Sequence, residues 1–245
     1  MRRALQWLLL EFLLFGCIGL IYLSYINSRL AADVNRLEAE LGRMTIQDPD
    51  RIYMVAIEDP EVPPEVASGV DRVWQFRCYL PAGYDSMNKI GTGRIAKEGA
   101  YLSGGYSGSW TPPPAKPIET ILMVSVKKSG DRIVVFSSIR GLRSFVTSWP
   151  DFSSDRIEDL VVDTLVQPNR GSRSFDQQTI LPLLRIYNPA TAKDEQVAGK
   201  PLTTYRGGLI LICPKSLEEK VEQLRNGEVP EGFEPGWIAS GVGNE

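Results

Sequence analysis

The stretch from Ala4 to Ile26 is almost continuously apolar, broken by Gln6, Glu11 and a few small or weakly polar residues, and as a helix it reaches about 34 Å. That length crosses a bilayer, so the first expectation is a retained transmembrane anchor over residues 1–26. Arg2 and Arg3 precede the run, while Arg29, Arg36 and Arg43 follow it more sparsely. The positive-inside rule therefore predicts a cytoplasmic N-terminus and a C-terminal body outside the cytoplasm of a bacterial cell. A basic start before an apolar run also fits a cleaved signal, and Leu14-Phe15-Gly16-Cys17 has the form of a lipobox with Cys17 as the lipidated residue. The continued apolar run from Ile18 to Leu23 favours the retained anchor, with the bilayer as its first partner.

A carboxylate inside hydrocarbon is expensive unless it is protonated, paired or near the headgroups. Glu11 is thus a candidate contact with a partner helix, the alternative being a side chain that snorkels to the interface. The helical pattern continues beyond the membrane. Leu23, Leu30, Leu37 and Met44 share one heptad position, and Asn27, Val34 and Leu41 the other, which predicts a helical stalk or short coiled coil over 27–47. Asn27, Val34, Leu37 and Leu41 are its candidate contacts, with a second copy or with another membrane protein. Asp33 and Glu38 on the flanks count against a parallel homodimer, and Asp48-Pro49 closes the helical region.

From residue 48 to 227 the texture is that of a β domain. Short runs bounded by turn residues predict strands over Arg51–Ile57, Val73–Leu80, Ile118–Val126, Arg132–Ile139, Ile180–Tyr187 and Arg206–Cys213. In the second run Trp74, Phe76, Cys78 and Leu80 alternate with Gln75, Arg77 and Tyr79, as a strand with one face inward requires. Lys128-Ser129-Gly130-Asp131 reads as a hairpin turn, and 86–116 and 188–203 read as irregular. Ser216 with Glu219 before Leu217, Val221 and Leu224 predicts a helix stopped by Gly227, and Ile157, Leu160, Val161 and Leu165 fit a second, although 161–166 also suits a strand. The fold class is mainly β: a sandwich-like extracytoplasmic domain with one or two short helices. Residues 228–245, rich in Gly, Pro and Glu, read as a tail with Trp237 against the body.

An anchor, a helical stalk, then Trp74-Gln75-Phe76-Arg77-Cys78-Tyr79-Leu80-Pro81 and the later Leu183-Leu184-Arg185-Ile186 together resemble uncharacterised single-pass envelope proteins of planctomycete-type bacteria. The resemblance implies an anchored β domain outside the cytoplasm and implies no activity.

The chain of 245 residues contains no histidine and three cysteines, which removes the common general base, His-ligated metal sites and a four-thiolate zinc site. A net charge of −3 supplies no basic field for nucleic acid, and no cofactor is expected. Cys78 and Cys213, both on predicted strands, are either an inter-strand disulfide or two buried free thiols. A histidine-free hydrolase would have to use serine and lysine. Ser86-Met87-Asn88-Lys89 and Gly130–Phe136 faintly resemble segments of bacterial signal peptidase, but no Pro-Thr follows Ser86-Met87 and no lysine follows Val134-Val135-Phe136. Ser125 and Lys128 match the same spacing, yet on a strand they point to opposite faces. Gly91-Thr92-Gly93-Arg94-Ile95-Ala96 has the outline of a dinucleotide fingerprint without a helix to hold phosphate, so it reads as loop. Tyr101, Tyr106 and Trp110 among glycines form a candidate ligand loop for a glycan or peptide, and Arg170 and Arg173 a weak anion candidate.

These readings converge on a membrane-anchored, non-enzymatic domain that binds or organises another envelope component. The alternatives are an envelope serine–lysine hydrolase and a lipoprotein-like glycan or peptide binder.

Overall fold

The computed structural model describes residues 2–40, 44–58, 67–96, 101–139, 143–150, 157–168 and 171–235, with 60, 62, 152 and 154 between them; the side chains of 2–14, 32, 35, 36, 38–40 and 143 lie outside the description. The chain begins with one helix, α1 (Arg2–Glu40), that carries the predicted anchor and most of the stalk without a break. Among the described residues twelve strands follow, in two antiparallel sheets.

The first sheet contains β1 (Ile52–Ile57), β2 (Arg72–Leu80), β5 (Ile118–Ser129), β6 (Arg132–Ile139), β7 (Arg143–Pro150) and β9 (Arg173–Phe175), in the order β7-β6-β5-β2-β1-β9. The second contains β3 (Ser86–Ala96), β4 (Tyr106–Thr111), β8 (Val161–Thr164), β10 (Leu181–Tyr187) and β12 (Lys200–Pro214), in the order β4-β3-β12-β10-β8, and β11 (Lys193–Val197) pairs along β12. All six runs predicted as strands are strands. The hairpin between β5 and β6 closes Ser129 on Arg132, with Gly130 at φ +61° as a tight two-residue turn requires.

Alternation along the strands puts Ile52, Met54, Phe76, Cys78, Leu122, Val124, Ile133 and Val135 of the first sheet into one core with Leu181, Leu184, Ile186, Ile210 and Ile212 of the second. Gly208 of β12 lies where an added Cβ would meet the Trp149 ring at 2.5 Å, so the largest buried side chain of β7 fills the space that this glycine leaves. The outer face of the first sheet is covered locally as well. Met44 and Ile46, just after α1, pack on Tyr53, Val55 and Tyr79. The Tyr53 hydroxyl accepts from the Asp48 amide at 2.8 Å, and the Tyr79 hydroxyl donates to the Pro49 carbonyl at 3.1 Å, so two tyrosines fix the chain where it enters the domain.

Several segments differ from expectation. The stretch 86–116 contains β3 and β4, and 188–203 contains β11 and the start of β12. The fingerprint-like run from Gly91 to Ala96 is the second half of β3, paired along β12 from Leu209 to Thr204. Gly91 lies under Leu102 and Tyr106, whose atoms would sit 2.4 and 2.6 Å from a Cβ there. The predicted C-terminal helix is instead 3₁₀, over Lys215–Leu217 and Glu219–Asn226, stopped by Gly227 in the left-handed region as the sequence suggested. The other candidate resolves into one 3₁₀ turn at Ile157–Asp159 followed by β8. The body continues past Gly227: Phe233 is buried, the Ile180 amide donates to Gly232, and Glu234 pairs with Arg173 at 3.0 Å. Trp237 lies outside the described residues.

From Phe15 to Tyr25 the side chains of Phe15, Ile18, Leu20, Ile21, Tyr22, Leu23 and Tyr25 are all exposed, around the full circumference of α1. Among the described residues no helix is long and apolar enough to cross a membrane, and the side chains of 2–14 lie outside that description. Asn27, Val34 and Leu37 are exposed on α1, while Leu41 and the Glu11 side chain fall outside the described residues. Cys17 is exposed within the unbroken helix.

Candidate functional site

An outward-facing strand position normally carries a polar residue. The outer face of the first sheet departs from that pattern: β2 presents Val73 and Gln75, β5 presents Met123, Ser125 and Lys127, and β6 presents Val134 and Phe136. Register brings them together, with Val73 beside Ser125 and Ser125 beside Phe136, Gln75 beside Met123, and Lys127 beside Val134. Val62, Gly69 and Val70 form one wall above the sheet, and the open groove between wall and strands has a volume of about 450 Å³. Two hydrogen bonds hold that wall near β5. The Asp71 amide donates to Val126 at 2.9 Å, and the Asp71 carboxylate accepts from the Lys128 amide at 2.6 Å.

The polar groups are few and sit at defined places. Lys127 Nζ donates to the Ser68 carbonyl at 2.9 Å at one end of the groove. Gln75 Nε2 lies 3.9 Å from Met123 Sδ at the other. Such a lining can take up aliphatic surface and place one cation against its end. Sequence reasoning passed over this site. The signal was present in Ile121-Leu122-Met123-Val124 and Ile133-Val134-Val135-Phe136, unbroken apolar runs that mark strands covered on both faces.

The residues singled out from sequence lie elsewhere. Tyr106 and Trp110 belong to β4, beside Gly91 and Met87 of β3. Tyr106 packs over Gly91, and burial pushes its hydroxyl well above the ordinary tyrosine range. Trp110 is exposed and its indole donates to the Asp85 carboxylate, whereas Tyr101 is half-buried beside Gly227. Of the three aromatics, Trp110 alone is exposed. Next to Trp110 lies an ion cluster: Glu218 takes Lys89 at 2.5 Å and Lys215 at 2.7 Å, and these two lysines hold its carboxyl below the usual range.

Ser86 is buried and Lys89 is largely buried, an odd number of residues apart on β3, so the strand directs them to opposite faces. Cys78 and Cys213 are free thiols on different sheets, each pushed up to about 12 by burial. Arg173 is engaged with the Leu165 carbonyl, Glu234 and the Phe175 ring, and Arg170 lies outside the described residues. Among the described residues no cluster of His, Cys, Asp and Glu is placed to hold a metal ion. Compared with known proteins, the chain matches no protein-family model, no curated protein and no solved structure.

Proposed function

We propose that this chain is a single-pass, membrane-anchored binding module of the cell envelope, with α1 as anchor and stalk and the two-sheet domain as its extracytoplasmic body. The observation that carries the reading is the belt from Phe15 to Tyr25, where apolar side chains are exposed around the whole helix. A helix that is apolar all round needs a non-aqueous surrounding, and the domain does not supply it. The arginine bias at Arg2 and Arg3 supports an N-terminus inside the cell. Asn27, Val34 and Leu37 remain available for a second copy or a partner helix.

A binding role rather than a hydrolytic one is supported by two features. Ser86 and Lys89 are held on opposite faces, and the concavity on the outer face of the first sheet has apolar walls. Carbonate washing of membranes from cells that express the full chain tests the anchor, and the reading predicts that the protein stays in the pellet. Ser129 lies at the exposed β5–β6 turn, so a Ser129→Cys variant tests orientation. A membrane-impermeant maleimide should label it in intact, outer-membrane-permeabilised cells. Release by carbonate defeats the anchor, and labelling only after lysis defeats the orientation.

A further inference from the structure

The groove on the outer face of the first sheet has a direction. Along β5 its lining runs from Met123 through Ser125 to Lys127, about 13 Å at the usual strand rise, the length of an extended chain of roughly ten carbons. Val73, Val134 and Phe136 flank that line, so the walls are apolar. The end is cationic. Among the described residues the Lys127 ammonium has the Ser68 carbonyl as its hydrogen-bond partner and no carboxylate in ion-pair contact. Glu119, the outward acid of the same strand, is engaged with Arg77 beyond the Met123 end. A cation at one end of a narrow apolar trough is complementary to one chemistry, an aliphatic chain that ends in an anion.

We infer that this groove binds a fatty carboxylate, with the carboxylate on Lys127 and the chain lying along β5 toward Met123. A docked protein segment would bury a broader surface than this trough offers. The inference goes beyond the anchoring reading and does not rest on it, because the groove is built entirely from the β domain and the segment before β2.

The full chain in lipid nanodiscs, irradiated with a fatty acid that carries a diazirine near its tail, tests the site. Mass spectrometry of the labelled peptides should place label on Met123 or its neighbour Gln75, at the tail end of the groove. Decanoate should displace that label at about tenfold lower concentration than decyltrimethylammonium. In Lys127→Met this preference for the anion should fall about tenfold, with displacement by decanol unchanged, and Met123→Trp should remove the groove label by filling the trough. Label on α1, reached through the bilayer, reports probe delivery and the anchor separately from the groove. Should Met123→Trp fail to fold, the Lys127→Met competition decides alone. Groove label that is absent while α1 is labelled, or an anion preference that survives Lys127→Met, overturns the inference. So does groove label in the wild type that decanoate leaves in place.

Discussion

Asn88 on β3 donates through Nδ2 to Ser137 Oγ on β6 at 2.7 Å, a polar bond that crosses the core from one sheet to the other. Both side chains are buried, Ser137 at 1% and Asn88 at 3% exposure, among aliphatic neighbours. Removing one partner strands the other in a low-dielectric interior. Ser137→Ala is expected to lower stability by about 1–3 kcal/mol, read as a lower urea midpoint with an unchanged slope. Asn88→Leu combined with Ser137→Ala should recover part of the loss, since the orphaned amide is then gone. A double variant less stable than the sum of the two single changes would show that the contact is packing, not hydrogen bonding.

Arg185 is 2% exposed, and its Nε and Nη2 donate to Asp163 at 2.8 and 2.5 Å, while Nη1 donates to the Ala96 carbonyl at 3.1 Å. The pair faces itself in register between β10 and β8, and the guanidinium lies 5.5 Å from the Tyr187 ring. Breaking a buried ion pair by deleting one charge costs more than replacing both. Asp163→Ala is therefore expected to destabilise by about 3–5 kcal/mol, whereas Arg185→Met with Asp163→Leu should fall within roughly 1 kcal/mol of the wild type. Fluorescence of the buried Trp149 during urea unfolding offers a reporter. Equal losses in the single and double variants would refute this account.

The strands legible in the sequence were those whose own side chains fill the core. Arg132–Ile139 and Leu181–Tyr187 announce themselves by β-branched and aliphatic runs. β3 does not, because its outer side is packed by residues from other segments: Leu102 and Tyr106 lie where Gly91 would otherwise carry a side chain, and a Cβ on Gly108 would meet the Asn88 carbonyl. Locally that composition is indistinguishable from a loop. The capping-box reading at Ser216 failed for a similar reason. Its hydroxyl meets the side-chain carbonyl of Gln178 at 3.0 Å, a residue distant in sequence, and the segment winds as 3₁₀. The groove needed register as well as pattern. Only pairing shows that Val73, Ser125 and Phe136 form one row, so its residues were visible as apolar runs but not as a site.

Cys78 lines the core beside Met54 and Leu122, and Cys213 is fully buried on β12. With both thiols pushed up to about 12, almost no thiolate exists at neutral pH. Maleimide should leave these two positions unmodified in the folded chain for hours and label both in urea. Reduction should not alter the unfolding midpoint. Protection that disappears only with a reductant present would instead point to a bond between them.

Glu218 bridges the two sides of an ion cluster, and the folded state holds its carboxyl below the usual glutamate range, first through Lys215 and then through Lys89. Lys89 is the more enclosed lysine, at 12% exposure against 50% for Lys215. A depressed folded-state pKa means that the unfolded chain takes up a proton first as pH falls. The stabilisation is thus fully present above the ordinary glutamate pKa of about 4.3 and is lost as pH drops through the lower folded-state value. Glu218→Gln should cost about 1 kcal/mol at neutral pH, where Lys89 loses its charged partner. The wild type and the variant should converge as the pH is taken well below about 4. Urea midpoints for both proteins across that range decide the matter, because a gap that stays constant with pH would assign the loss to packing and not to the charge on Glu218.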